Sequence, residues 1–374
     1  MTMQFEGPAA DSLYPAGRAP QRHSGRYIVS GMLLLAYAGG LIAWIVYAMR
    51  DGRQSVADLA QGLVDPAQPV AAAYLSPYEW ILTLALIAVG VLALLRRRLA
   101  RGGALVLGVI LVGLAVRDGI AIGLDSGYRE SFTEHRIGEW YLSTFGAALI
   151  VGAVVVFLMA RATEDPGEGV AARRWPLAVG GALLLVYAAA AIGWKVWELR
   201  QDPGYAAPDT DLRFTKNVPF LPNGVEEFFR AIGYPTGRQD PSVLAPYYHQ
   251  AAIVLALLAV GVIALYGRRW ARGAMLVLSG VLLYLMARIA VLWSTYDSNL
   301  DATRVPSWTD IAFDNTTEIL RTATYLFGAL AAVTVIVLAL AFRDRSADSS
   351  SSATSATSAT SASDGDTQTF SPLL

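Results

Sequence analysis

Eight runs of predominantly apolar residues divide this chain, at roughly 27–49, 78–95, 103–124, 141–160, 176–199, 249–266, 274–293 and 322–342. About 20 such residues make a helix long enough to cross a bilayer. Lipid offers backbone groups no water, so spanning segments are helices or closed barrels. The runs lack the alternation of barrel strands. The expected fold class is therefore all-α, a polytopic membrane protein of eight transmembrane helices. Composition agrees: 55% of the 374 residues are hydrophobic and only 16% are charged, against about a quarter charged in soluble domains.

Two stretches nearly coincide. Val89 to Gly108 reads VGVLALLRRRLARGGALVLG and Val260 to Ser279 reads VGVIALYGRRWARGAMLVLS, with 13 of 20 positions identical. The correspondence extends outward. Gly31 to Tyr37 answers Gly181 to Tyr187, Trp44 answers Trp194, and Pro77-Tyr78 answers Pro246-Tyr247. Arg117 answers Arg288, and Phe145-Gly146-Ala147 answers Phe327-Gly328-Ala329. Helices 1–4 and 5–8 thus read as two tandem parallel four-helix repeats, related by a pseudo-two-fold axis along the membrane normal. Small residues such as Ala36 with Gly40 and Ala148 with Gly152 are read as close helix packing.

Arginine placement predicts orientation. The short loops around Arg96-Arg97-Arg98, Arg161 to Arg174 and Arg268-Arg269 are strongly basic, which keeps them cytoplasmic. Both termini then lie inside. Residues 1–26 form a cytoplasmic N-terminal segment without signal-peptide order. Residues 27–160 are the first membrane repeat, 161–175 a cytoplasmic linker and 176–345 the second repeat. The second repeat has insertions near 202–220 and 297–320. Residues 346–374, with their repeated Ser-Ala-Thr triplet, are a disordered cytoplasmic tail. Arginine carries almost all the basic charge, Lys195 and Lys216 being the only lysines. That bias points to a GC-rich prokaryote and its plasma membrane. A Ser55-capped helix through Leu59 and Leu63, and an Asn223-capped one through Phe228 and Ile232, read as amphipathic outer elements.

Few residues are out of place for a passive scaffold. Arg117 and Arg288 interrupt helices 3 and 7 at matching positions, where an arginine costs about 2–3 kcal/mol at mid-membrane. Asp118 occurs in one repeat only, Ile289 replacing it. Neighbours on a helix face apart, so Asp118 is expected to meet Arg288 across the seam rather than Arg117. Tyr37 and Tyr187 lie near mid-membrane in both copies, and buried hydroxyls want partners. Glu79 and Glu139 begin helices at the outer surface, where the helix dipole favours them. The tryptophans near the outer ends read as an aromatic belt.

Other chemistry has no carrier in the sequence. Without cysteine there is no disulfide, thiolate nucleophile or cysteine-ligated metal. His23, His135 and His249, the three histidines, show no metal spacing and no paired haem ligation. There is no phosphate loop or nucleophile elbow, and with a net charge of -1 nothing suggests a nucleic-acid partner, so none is expected. No metal or cofactor is expected. The leading expectation is a non-enzymatic protein that binds or transports an anionic or amphiphilic small molecule or lipid from the outer leaflet. Arg117 and Arg288 would hold the anion, with Asp118, Tyr37 and Tyr187 lining its path. The alternative is a structural or assembly subunit whose outer loops or tail dock a protein partner.

Overall fold

The structure, a computed structural model, describes residues 18–51, 55–64, 77–134, 138–162, 175–200, 246–296, 313 and 316–341. Among the described residues every regular element is a helix. Six are long and apolar enough to cross a membrane: α1 (Ser24–Asp51), α4 (Leu99–Leu124), α6 (Gly138–Ala160), α7 (Trp175–Arg200), α9 (Ala271–Tyr296) and α10 (Thr316–Ala341). Two more, α3 (Pro77–Leu94) and α8 (Pro246–Leu265), carry shorter apolar runs. Two short helices complete the set, α2 (Val56–Val64) and α5 (Ser126–Glu134). All eight apolar runs are therefore helical. The last begins at Thr316, earlier than the expected 322. The tail expected to be disordered, the second expected amphipathic helix and the first insertion lie outside the described residues, as does most of the second insertion.

The helices form two four-helix groups. In one, α1 packs on α3 and α6, and α4 packs on α3 and α6. In the other, α7 packs on α8 and α10, and α9 packs on α8 and α10. Each group encloses its own apolar core, around Leu34, Leu86 and Leu111 in the first and Leu184, Leu257 and Leu282 in the second. Trp44 Nε1 donates to Thr144 Oγ1 at 2.9 Å, tying α1 to α6. Trp194 Nε1 donates to Thr324 Oγ1 at 2.9 Å, tying α7 to α10. These two belt tryptophans are thus tethers between helices.

Contacts of one group recur in the other, and they correct two of the sequence correspondences. Thr144 and Thr324 do the same work, as do Arg101, bonded to the Met159 carbonyl, and Arg272, bonded to that of Ala339. Counting along α6 and α10 then sets Phe145 beside Tyr325, not beside Phe327. Gly31 meets Gly90 as Gly181 meets Gly261. Counting back along α3 and α8 then sets Tyr78 beside His249, not beside Tyr247. Apolar and Pro-Tyr matches are weak markers of register because many positions tolerate them. A hydroxyl that accepts an indole N–H is not interchangeable with its neighbours.

The two quoted stretches meet each other. A Cβ on Gly102 would clash with the Trp270 carbonyl oxygen, and one on Gly273 with that of Leu99. The contact is reciprocal, since Trp270 stands three residues before Gly273 as Leu99 stands three before Gly102. It brings α4 and α9 into backbone contact at the arginine-rich end. Gly40, by contrast, has nothing within 4 Å of an added Cβ, so the Ala36–Gly40 pair is not where α1 packs closely. Gly152 does sit in a close contact, against the Gly108 carbonyl, as expected.

Both quoted stretches also turn alike. Arg97 N–H bonds the Leu92 carbonyl and Arg268 N–H that of Ile263, the six-residue closure that ends a helix with a left-handed residue. That residue is Gly267 at φ 70° in one case and Arg96 at φ 53° in the other. Residues 18–20 lie across the first turn: Ala19 N–H donates to the Arg96 carbonyl at 2.7 Å, and Arg98 Nε to the Arg18 carbonyl at 2.8 Å.

Candidate functional site

The five residues expected to form one site fall into two groups. Arg117, Asp118 and Tyr37 belong to the first. Arg117 Nη1 donates to Asp118 Oδ1 at 2.8 Å, and both side chains are buried, at 8% and 2% exposure. This corrects the expectation that Asp118 reaches Arg288. Adjacent side chains do diverge on a helix, but the flexible arginine arm curls back. In a low-dielectric interior the attraction outweighs the cost of that rotamer.

Tyr128, at the start of α5, donates its hydroxyl to the same Asp118 oxygen at 3.3 Å. Asp125 fixes this approach by accepting the Tyr128 amide at 2.8 Å, an N-terminal cap on α5. Burial, then the neighbouring Asp118 carboxylate, raise the Tyr128 phenol above its usual range, while Arg117 pulls the other way. The hydroxyl therefore keeps its proton, which the bond to Asp118 requires. Glu79 was expected as a surface residue favoured by the dipole of α3. It is only 2% exposed, and Tyr37 lies close enough to sense both Glu79 and Asp118. The first group thus assembles two carboxylates, a guanidinium and two phenols from α1, α3, α4 and α5.

The second group has Arg288 and Tyr187, with three further phenols. Tyr78 of α3 lies within electrostatic reach of Tyr325 and Arg288, and Tyr187 of Tyr325 and Tyr78. Tyr284 stands one helical turn before Arg288 and also senses it. Gly328 on α10 leaves the room in which the Tyr187 ring lies, with the Met286 sulfur beside it. Over this group lies α2, which comes from the other half of the chain. Tyr284 donates its hydroxyl to the Leu63 carbonyl at 2.9 Å, and Arg288 Nη2 donates to the Gly62 carbonyl at 3.4 Å. The site therefore straddles the seam, with α2 and α3 contributed by one group and α7, α9 and α10 by the other.

Sequence reasoning read Tyr78 as an interfacial anchor at a helix end and gave no role to Tyr284 or Tyr325, which lie inside long apolar runs. One signal was available: Tyr284 and Arg288 are spaced i,i+4, hence on one helix face. Among the described residues no group of three or more His, Asp or Glu side chains is placed to hold a metal ion. Compared with protein families, curated proteins and solved structures, the chain matches none. Its class rests on its own helices: it is an integral membrane protein with several apolar helices long enough to span.

Proposed function

We propose that the chain crosses the plasma membrane of a prokaryote eight times, as two tandem parallel four-helix repeats with both termini cytoplasmic. In this reading it binds, and moves or presents, an anionic amphiphile such as a lipid from the outer leaflet. Support for α3 as a span comes from its ends. Residues 18–20 bond to the turn after α3, so α1 leaves one face and α3 returns to it. A run shorter than the bilayer is accommodated by local thinning and by packing. The reciprocal Gly102 and Gly273 contacts support the two-fold relation, since the same patch used from both sides is what a two-fold axis produces. The arginine-rich turns support the orientation.

The observation that carries the binding reading is the gathering of phenols near Arg288 at the seam between the two groups. Tyr78 lies within electrostatic reach of this guanidinium, and Tyr187 and Tyr325 lie within reach of Tyr78; the guanidinium itself reaches a helix C-terminus that the Tyr284 hydroxyl also holds. Phenol hydroxyls and a guanidinium together suit a phosphate or carboxylate, and the surrounding apolar helices suit its hydrocarbon. Arg117 takes a different part, as the ion-pair partner of Asp118. The structural-subunit reading draws on that same pair, because an internally neutralised arginine needs no ligand to be buried.

Native mass spectrometry separates the two. The intact protein in dodecyl maltoside, titrated with dodecyl phosphate, is expected to retain about one equivalent. Arg288→Met should weaken retention about tenfold or more, as loss of a charge-assisted bond implies. Equal retention by wild type and variant sinks the binding site. A stoichiometric protein carried by both would make this a subunit.

A further inference from the structure

Helix α2 ends on the very groups assigned to the anion. Its last carbonyls, among them Gly62 and Leu63, have no partner within the helix. They carry the negative end of the helix dipole, roughly half an elementary charge. Arg288 and Tyr284 satisfy them from α9. The C-terminus of α2 is thus a built-in anion surrogate, seated across the seam on the second half of the molecule. The other end of α2 is capped within itself. Asp58 N–H donates to Ser55 Oγ at 3.1 Å, while Ser55 N–H and Oγ donate to the Asp58 carboxylate at 2.9 and 2.7 Å. This is a reciprocal capping box. Helix α2 can therefore leave α9 as an intact helix, since its own N-terminus does not depend on the contact.

Resting on the binding reading above, we propose that α2 is a latch released by the ligand. A full negative charge and the partial charge of α2 compete for the same guanidinium. Occupancy by a phosphate or carboxylate headgroup at Arg288 displaces the Gly62 carbonyl, and α2 lifts from α9. Two states follow, α2 seated with the site closed and α2 lifted with the site filled. Ligand shifts their balance only through its preference for the second. Linkage runs both ways: whatever loosens α2 must tighten ligand binding by the same factor. Tyr284 is a positioning residue here, because it holds α2 without carrying the charge.

Amide exchange across residues 56–64 tests this in the full-length protein in dodecyl maltoside, with native mass spectrometry alongside. Removing the Tyr284 hydroxyl, as Tyr284→Phe, deletes one neutral hydrogen bond. About fivefold faster exchange in α2 without ligand is expected, together with about fivefold tighter dodecyl phosphate binding. In wild type, saturating dodecyl phosphate should speed the same amides and leave those of α4 unchanged. Slower or unchanged exchange on binding overturns the latch while leaving the anion site standing. Tighter exchange protection in Tyr284→Phe overturns it as well. No retention of dodecyl phosphate by either wild type or Tyr284→Phe removes the anion site, and the latch with it.

Discussion

Position 118 differs in chemistry between the halves. Asp118 gives Arg117 a counter-ion within its own helix, and Ile289 stands at the matching place beside Arg288. A buried pair contributes little net stability over apolar residues, but breaking it strands a charge at about 3–5 kcal/mol. Asp118→Asn should therefore lower the denaturation midpoint in detergent sharply. Arg117→Met combined with Asp118→Ile should recover most of that loss. If the double variant is as unstable as Asp118→Asn, the pair does more than neutralise itself. At this scale the sequence marked the right positions and mispaired them. Helical-wheel geometry gives the direction of Cβ, and a long side chain need not follow it.

Among the elements, α4 and α9 show how a repeat becomes an interface. Gly102 and Gly273 admit no Cβ, because the opposing atom is a backbone carbonyl that cannot swing aside. Gly102→Ala and Gly273→Ala should each cost several kcal/mol, as overpacking in a tight core does. Gly39→Ala and Gly119→Ala meet nothing within 4 Å and should stabilise their helices by about 0.5–1 kcal/mol. Thermal midpoints of the four variants check both halves of the claim. If all four behave alike, the close approach is wrong. For α2, the Ser55 hydroxyl and amide hold the Asp58 carboxyl below its usual range. A depressed folded value means that stability is present above the ordinary value of about 4 and is lost as pH falls through the depressed one. After correction for intrinsic rates, exchange in residues 56–64 should therefore rise as pH drops below about 4. In Asp58→Asn that acid-dependent step should vanish.

Over the whole molecule, the proposed topology has a direct readout, because the chain has no cysteine of its own. Single cysteines at Arg97 and Arg268 should react from the cytoplasmic side and one at Asp125 from the opposite side. Labelling of Arg97→Cys and Asp125→Cys from the same face would remove α4 as a span. That the eight apolar runs are helical, and roughly where they end, was legible in the sequence, since lipid forbids unsatisfied backbone; the short helix α5 was not. Legible too was the near-identity of residues 89–108 and 260–279, which the structure places in mutual contact. The exact partner of each polar side chain was not legible. The sequence pointed to Arg117, Arg288, Asp118, Tyr37 and Tyr187 as one set. Tertiary packing divides them, draws in Glu79 and Tyr128 on one side, and gathers Tyr78, Tyr284 and Tyr325 on the other. Periodicity along a chain specifies which residues avoid lipid. Which of them meet depends on how helices from distant segments cross, and that is decided only when α2 and α3 lie against α9.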